Sequence, residues 1–201
     1  MAEEMDFDAL ILAGGESRRM GRDKSLLPFA GTTLVEYIAA QLRPVAREVR
    51  ISTADVQRHA HLGLELVPDL TPGLGPLMGI ASGLRAASRD WTLVVATDIP
   101  VLPLALLPQL WALTAETPCV IPQTADGRVQ PLFGLYHRHL ADEILSFLGR
   151  GERRVLDFVA GCGGRILPAP DVKIANLNNH AEYEGLLKGT STPSPNRGYF
   201  R

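Results

Sequence analysis

The chain of 201 residues is poor in cysteine: it has two, Cys119 and Cys162, far apart and in no CxxC pair. That excludes a disulfide framework, argues against a structural zinc site and suits a reducing compartment. No apolar run approaches the ~20 residues of a membrane-spanning helix. Neither sign of charge dominates. With 20 Lys and Arg against 22 Asp and Glu, the net charge is −2, which leaves too little cation for a broad nucleic-acid surface. The start, Met1-Ala2-Glu3-Glu4-Met5-Asp6, is acidic and lacks the positive region of a secretory leader. These absences predict a cytoplasmic chain that engages neither membrane nor nucleic acid.

Familiar site motifs are missing too. A P-loop requires Gly-x-x-x-x-Gly-Lys-Ser/Thr, but Gly15 and Gly21 enclose five residues, and Arg22-Asp23 separate Gly21 from Lys24. The dinucleotide fingerprint Gly-x-Gly-x-x-Gly comes nearest at Gly73-Leu74-Gly75, where Met78 occupies the third glycine position. There is no Gly-x-Ser-x-Gly elbow, and Ser82 reads as a small helix-packing residue. The pairs His59/His61 and His137/His139 have the spacing of strand-borne metal ligands but no carboxylate cluster to join them, so they read as solvated or structural.

What remains is an ordinary globular balance, 46% hydrophobic and 21% charged, long enough for one substantial core. A single domain is expected over residues 1–188, followed by a Pro/Ser/Thr-rich and disordered tail over 189–201. Strand and helix patterns alternate. Strands are expected at 7–13, 48–52, 64–67, 91–96, 119–122, 129–136 and 172–177. Helices are expected at 33–42, 77–87, 103–114, 140–148, 154–159 and 181–187. Asp126-Gly127 marks a turn between an antiparallel pair. The alternation implies an α/β, three-layer sandwich with a mostly parallel, Rossmann-like sheet. Such sheets bind ligands at the carboxyl ends of their strands, near the topological switch point.

The most informative stretch follows the first strand. Leu12-Ala13-Gly14-Gly15-Glu16-Ser17-Arg18-Arg19-Met20-Gly21-Arg22-Asp23-Lys24 holds three glycines, three arginines and one lysine. Glycines let backbone N–H groups approach an anion, and the cations neutralise phosphate charge. A nucleoside triphosphate needs such a loop. Two further strands also end in carboxylates, Asp69 and Asp98. Asp98, in Ala96-Thr97-Asp98-Ile99-Pro100, stands at the sheet's carboxyl edge where a divalent metal could be held. On sequence alone it reads equally well as an Asp capping the next turn. Asp69 could accept hydrogen bonds from a ligand, or it could make local loop bonds. Arg153 and Arg154, before a helix, could hold an anionic ligand or form a solvated turn. Asn176 and Asn178 would share one face of the strand expected at 172–177.

The loop resembles the pattern Leu-Ala-Gly-Gly-x-Ser-x-Arg-Met-Gly-x-Asp-Lys of the molybdenum cofactor guanylyltransferases, the MobA-like family, and the resemblance spans about residues 7–187. It implies a nucleotidyltransferase fold and transfer of GMP from GTP to the terminal phosphate of molybdopterin or Mo-molybdopterin, with release of pyrophosphate. It assigns Asp98 to Mg2+ and Arg19 and Lys24 to the triphosphate. It places Leu12, Ala13, Gly14, Gly15, Ser52 and Asp69 about the nucleotide, and Arg153, Arg154, Asn176 and Asn178 about the second substrate. Partners that deliver or receive the cofactor are also implied. Gly14 stands where the related cytidylyltransferases carry alanine, which favours guanine. Ser52 stands where the family often has asparagine, which keeps cytosine open. A sugar-1-phosphate nucleotidyltransferase is disfavoured because the loop ends Asp23-Lys24 rather than Pro-Lys. A non-catalytic nucleotide binder is disfavoured because it would need no metal carboxylate.

Overall fold

The computed structural model describes residues 4–13, 23–177 and 179–189. The first apolar run forms β1 (Phe7–Leu12), buried along its whole length. Its side chains alternate between two cores, as a strand's period of two requires. Phe7, Ala9, Ile11 and Ala13 join Leu34, Val35 and Ile38 in one core. Leu10 and Leu12 join Leu77, Ile80 and Leu84 in the other. A strand apolar on both faces must be covered on both, and this produces the three layers.

A short hairpin, β2 (Pro28–Phe29) and β3 (Thr32–Thr33), leads into α1 (Leu34–Leu42). Thr33 caps that helix in a reciprocal box with Glu36. Next come β4 (Val49–Thr53), α2 (Val56–His59), β5 (Glu65–Pro68), α3 (Pro76–Ala86) and β6 (Trp91–Ala96). The second half holds α4 (Leu107–Ala112), β7 (Cys119–Thr124), β8 (Phe133–His137), α5 (Leu140–Gly149), α6 (Val155–Gly161), β9 (Arg165–Ala169) and α7 (His180–Gly189).

Seven strands form one sheet in the order β5-β4-β1-β6-β8-β7-β9. β1 pairs in parallel with β4 and β6, β4 with β5, and β7 with β9. β8 runs antiparallel to both of its neighbours. The chain leaves β1 toward β4 and β5, then crosses back to place β6 on the other side. The switch point therefore lies between β1 and β6, where Leu12 stands level with Ala96. Near the amino end of β1, Asp8 is buried against Arg50 of β4 at 2.9 Å. It also accepts the backbone N–H groups of Ser88 (2.7 Å) and Arg89 (3.1 Å), so the buried charge is fully satisfied. No helix among the described residues is long and apolar enough to cross a membrane.

Three expectations need correction. The helix expected at 103–114 is a 3-10 turn over Leu104–Leu106 followed by the shorter α4. The strand expected from Val129 begins at Phe133, because Pro131 has no N–H for a ladder and the chain turns there, Phe133 N donating to Gln130 O (3.2 Å). Residues 172–177 are not a strand. They form a strap across the strand tips, fastened by Ala125 N to Val172 O (3.0 Å) and Leu177 N to Asp98 O (2.7 Å). The last strand is instead β9, an edge strand whose largely exposed residues and Pro168 hide its period.

α3 approaches the sheet through its small residues. A Cβ at Gly83 would fall 2.1 Å from Leu10 Cδ2. Gly83→Ala is expected to lower the unfolding free energy by about 1–3 kcal/mol, measured by urea denaturation. An unchanged midpoint would show that the close approach does not depend on this glycine.

Candidate active site

The carboxyl edge of the sheet gathers residues from three parts of the chain. Asp98 stands two residues beyond β6. The strap lays Asn176 beside it, Asn176 Nδ2 lying 3.5 Å from Asp98 Oδ2. Lys24 Nζ donates to the carbonyl of Leu177, so the end of the glycine-rich stretch also reaches the strap. Burial pushes the Asp98 carboxyl above the usual carboxylate range, while the charge of Lys24 and the amide of Asn176 draw it partly back. Asp98 Oδ1 is buried and has no hydrogen-bond partner among the described residues.

Lys24 is held from behind. Asp23 Oδ1 accepts Ser25 N (3.0 Å) and Ser25 Oγ (2.6 Å), and its Oδ2 accepts Arg58 Nη1 (2.9 Å). Ser25 Oγ also lies 2.8 Å from His59 Nε2, and His59 Nδ1 lies 3.1 Å from Thr53 Oγ1. This chain of bonds ties the residue before Lys24 to the tip of β4. Burial alone would raise the Asp23 carboxyl, but the Ser25 hydroxyl and the Arg58 guanidinium hold it below its ordinary value. His59 is 1% exposed and bonded at both ring nitrogens, so it is a structural histidine, carried on α2 rather than on a strand.

A second polar corner lies at the tips of β4 and β5. Ser52 Oγ donates to Asp69 Oδ1 (2.9 Å), and burial raises the Asp69 carboxyl against that hydrogen bond. Gly79 of α3 leaves the room: a Cβ there would lie 2.7 Å from Ser52 Oγ and 3.0 Å from Leu12 Cδ2. Ser82 Oγ donates to Met78 O (2.8 Å) and accepts Leu70 N (3.0 Å), which tethers the loop after Asp69 to the helix. The β1 tip closes the corner, with Ala13 N donating to Ser52 O (2.9 Å) and Leu12 O accepting Thr97 Oγ1 (3.4 Å).

Beside Asp98 lies a cavity of about 390 Å³, walled by Asn176 and by Arg128, Val129 and Gln130 from the hairpin between β7 and β8.

Comparison with known proteins identifies the family. Residues 9–162 match the family described as the MobA-like NTP transferase domain. The chain belongs to that family. A molybdenum cofactor guanylyltransferase of Cereibacter sphaeroides is 40% identical to it over 188 residues, covering 89% of this chain and 96% of that protein. One from Serratia proteamaculans (strain 568) is 37% identical over 185 residues, covering 90% and 89%. In the fold, this MobA-like transferase is similar to the crystal structure of molybdopterin-guanine dinucleotide biosynthesis protein A from Archaeoglobus fulgidus. The TM-score is 0.77 at 22% identity, covering 92% of this chain and 99% of that one.

In this MobA-like transferase, Lys24, Asp98 and Asn176 come together, and Leu12, Ala13, Ser52 and Asp69 form the adjoining corner. Gly14, Gly15, Arg19 and Asn178 lie outside the described residues. Arg153 and Arg154 stand at the turn between α5 and α6, outside the wall of the 390 Å³ cavity. Arg153 Nη1 donates to Leu148 O (2.6 Å), and Arg154 pairs with Asp157 (3.3 Å). Sequence reasoning missed Arg128 and Gln130. The available signal was Gln130 itself, a polar residue set between Val129 and Pro131 in an otherwise apolar run.

A carboxyl whose value is raised on folding binds protons more readily in the folded state, so its ionisation opposes folding above that value. In the metal-free protein, Asp98→Asn is therefore expected to increase stability at pH 7, with the gain shrinking as pH falls below the carboxylate range. Urea midpoints at pH 7 and pH 4 check this. A loss of stability at pH 7 would show that attraction to Lys24 outweighs the burial of Asp98.

Proposed function

We propose that this chain transfers GMP from GTP to the terminal phosphate of molybdopterin, or of its molybdenum-loaded form. An acceptor phosphate oxygen bonds to the α-phosphorus, the bond from that phosphorus to the β-bridging oxygen breaks, and pyrophosphate leaves. The observation that carries the reading is the carboxylate of Asp98, buried at the switch point, with one oxygen unpaired and Lys24 close enough to act on its charge. The guanylyltransferase names of the relatives at 37% and 40% identity support the base and the acceptor.

The residues present fit a divalent cation. An unpaired carboxylate oxygen is a hard ligand, and Mg2+ takes one or two carboxylates and completes its shell with phosphate oxygens and water. Asp98 would hold it, and the ion supplies charge stabilisation to the phosphates when bound. Lys24 neutralises charge on the triphosphate and on the departing pyrophosphate. Its contact with Leu177 and the Asp23–Ser25–His59 chain behind it fix the ammonium in place. Arg19 shares the task as the family pattern assigns it. Asn176 orients the Asp98 carboxylate. Asp69, positioned by Ser52, accepts hydrogen bonds from guanine N1–H and the 2-amino group. No general base is required, because a phosphate monoester is already ionised near neutral pH.

The decisive experiment offers GTP and CTP in competition with purified molybdopterin and Mg2+, and follows GMP or CMP incorporation and pyrophosphate release. GMP incorporation is expected. CMP incorporation would overturn the reading of Asp69, and incorporation of neither would overturn the acceptor. Asp98→Ala is expected to lower kcat by about 100-fold or more, with GTP affinity changed far less. Asp69→Asn is expected to narrow the preference for GTP over CTP, and an unaltered ratio would remove it as the base reader.

A further inference from the structure

We propose that the cavity on the hairpin between β7 and β8 receives the acceptor, with Arg128 binding its phosphomonoester and the buried amide of Gln130 reading the edge of its planar heterocycle. This inference rests on the guanylyl-transfer reading above. It moves the second substrate's main contacts from Arg153 and Arg154 to a part of the chain that neither motif nor spacing singled out.

Three observations carry it. The first is position. An acceptor oxygen must reach the α-phosphorus in line, so its pocket has to adjoin the groups that hold the triphosphate. The 390 Å³ cavity does so, because Asp98 and Asn176 form part of its wall, and its size falls within the range of small-molecule sites.

The second is Gln130. It is 7% exposed, and among the described residues its side chain makes one hydrogen bond, a long one from Asn176 Nδ2 to its Oε1 (3.5 Å). Its main chain is pinned by Gln130 N to Pro122 O (2.9 Å), so the amide is held in the cavity wall. A primary amide presents one donor and one acceptor side by side. A pterin edge, with its ring N–H, carbonyl and amino group, offers the complement. Val129 and Leu132, in the same wall, provide apolar surface for the ring face.

The third is Arg128. Its side chain is 72% exposed, and it pairs with Asp126 at 3.2 Å on the surface, where such pairs hold weakly. Asp126 has other partners, accepting Thr124 Oγ1 (2.6 Å) and Arg128 N (3.3 Å), so the guanidinium can be released without leaving the carboxylate bare. A guanidinium can grip a phosphomonoester with two parallel hydrogen bonds. Arg153 and Arg154 have their partners on α5 and α6 and do not face this wall.

Steady-state kinetics with GTP, Mg2+ and purified molybdopterin test the assignment in the wild type and in Arg128→Ala, Arg128→Lys, Gln130→Ala and Gln130→Glu. Arg128→Ala and Gln130→Ala are expected to raise the acceptor KM tenfold or more, with the GTP KM within twofold of the wild type. Arg128→Lys recovers part of the loss. Gln130→Glu keeps the shape but removes the amide donor that meets the heterocycle's carbonyl, so it raises the acceptor KM even if the alanine variant folds poorly. An unchanged acceptor KM in the Arg128 and Gln130 variants would overturn the assignment, as would a parallel rise in the GTP KM. A wild type that transfers no GMP to molybdopterin would refute the function itself, and the two failures are told apart by that first measurement.

Discussion

The parallel pairing of β1 with β6 is the constraint on which the site depends. Because the two strands run the same way and are in register from Phe7↔Trp91 to Leu12↔Ala96, their carboxyl ends finish level. The residues just past the two strands, Ala13 after β1 and Thr97-Asp98 after β6, therefore stand side by side. The sheet supplies the alignment, and the two apolar faces of β1 keep the sheet covered so that the alignment holds.

Charge management at that edge follows a consistent pattern. Three carboxylates near it are partly buried and each takes a hydroxyl or amide partner: Ser25 for Asp23, Ser52 for Asp69, Asn176 for Asp98. Hydroxyls and amides orient a carboxylate without neutralising it. The ion pair with both partners almost fully buried, Arg50 with Asp8, lies instead near the amino end of β1. Anions at the working edge thus keep their charge for ligands, whereas those at the other end are satisfied once and serve the fold. Asp23 is the intermediate case, paired with the half-exposed Arg58 and standing one residue before Lys24.

Much of this was legible in the sequence where one local signal sufficed. The apolar run before Ala13, the Thr33 cap and the position of Asp98 after a buried strand each carry their own period or turn chemistry. The strap over 172–177 did not, because Val172 and Ile174 pack on the core with the alternation of a strand while the segment's backbone bonds go to strand tips. β9 was hidden by its exposure at the sheet edge. Gln130 was passed over, and His59 was read as solvated or structural without its partners, because a buried polar residue acquires meaning only from partners far along the chain. His59 finds Ser25 at a separation of 34 residues, and Gln130 finds Asn176 at 46. Such pairings are set by topology and have no spacing rule.

The strap has a kinetic consequence as well. Lys24 meets Leu177 across 153 residues of chain, and Asn176 meets Asp98 across 78. Contacts of that span close large loops, as the β1–β6 pairing of Phe7 with Trp91 also does. The strap brings one fully buried hydrophobic residue, Leu177, to the structure, so it is also weakly anchored compared with the strands beneath it. On heating or in mild denaturant it is expected to release ahead of the strands, separating Asn176 and Leu177 from Asp98 and Lys24 while the sheet remains.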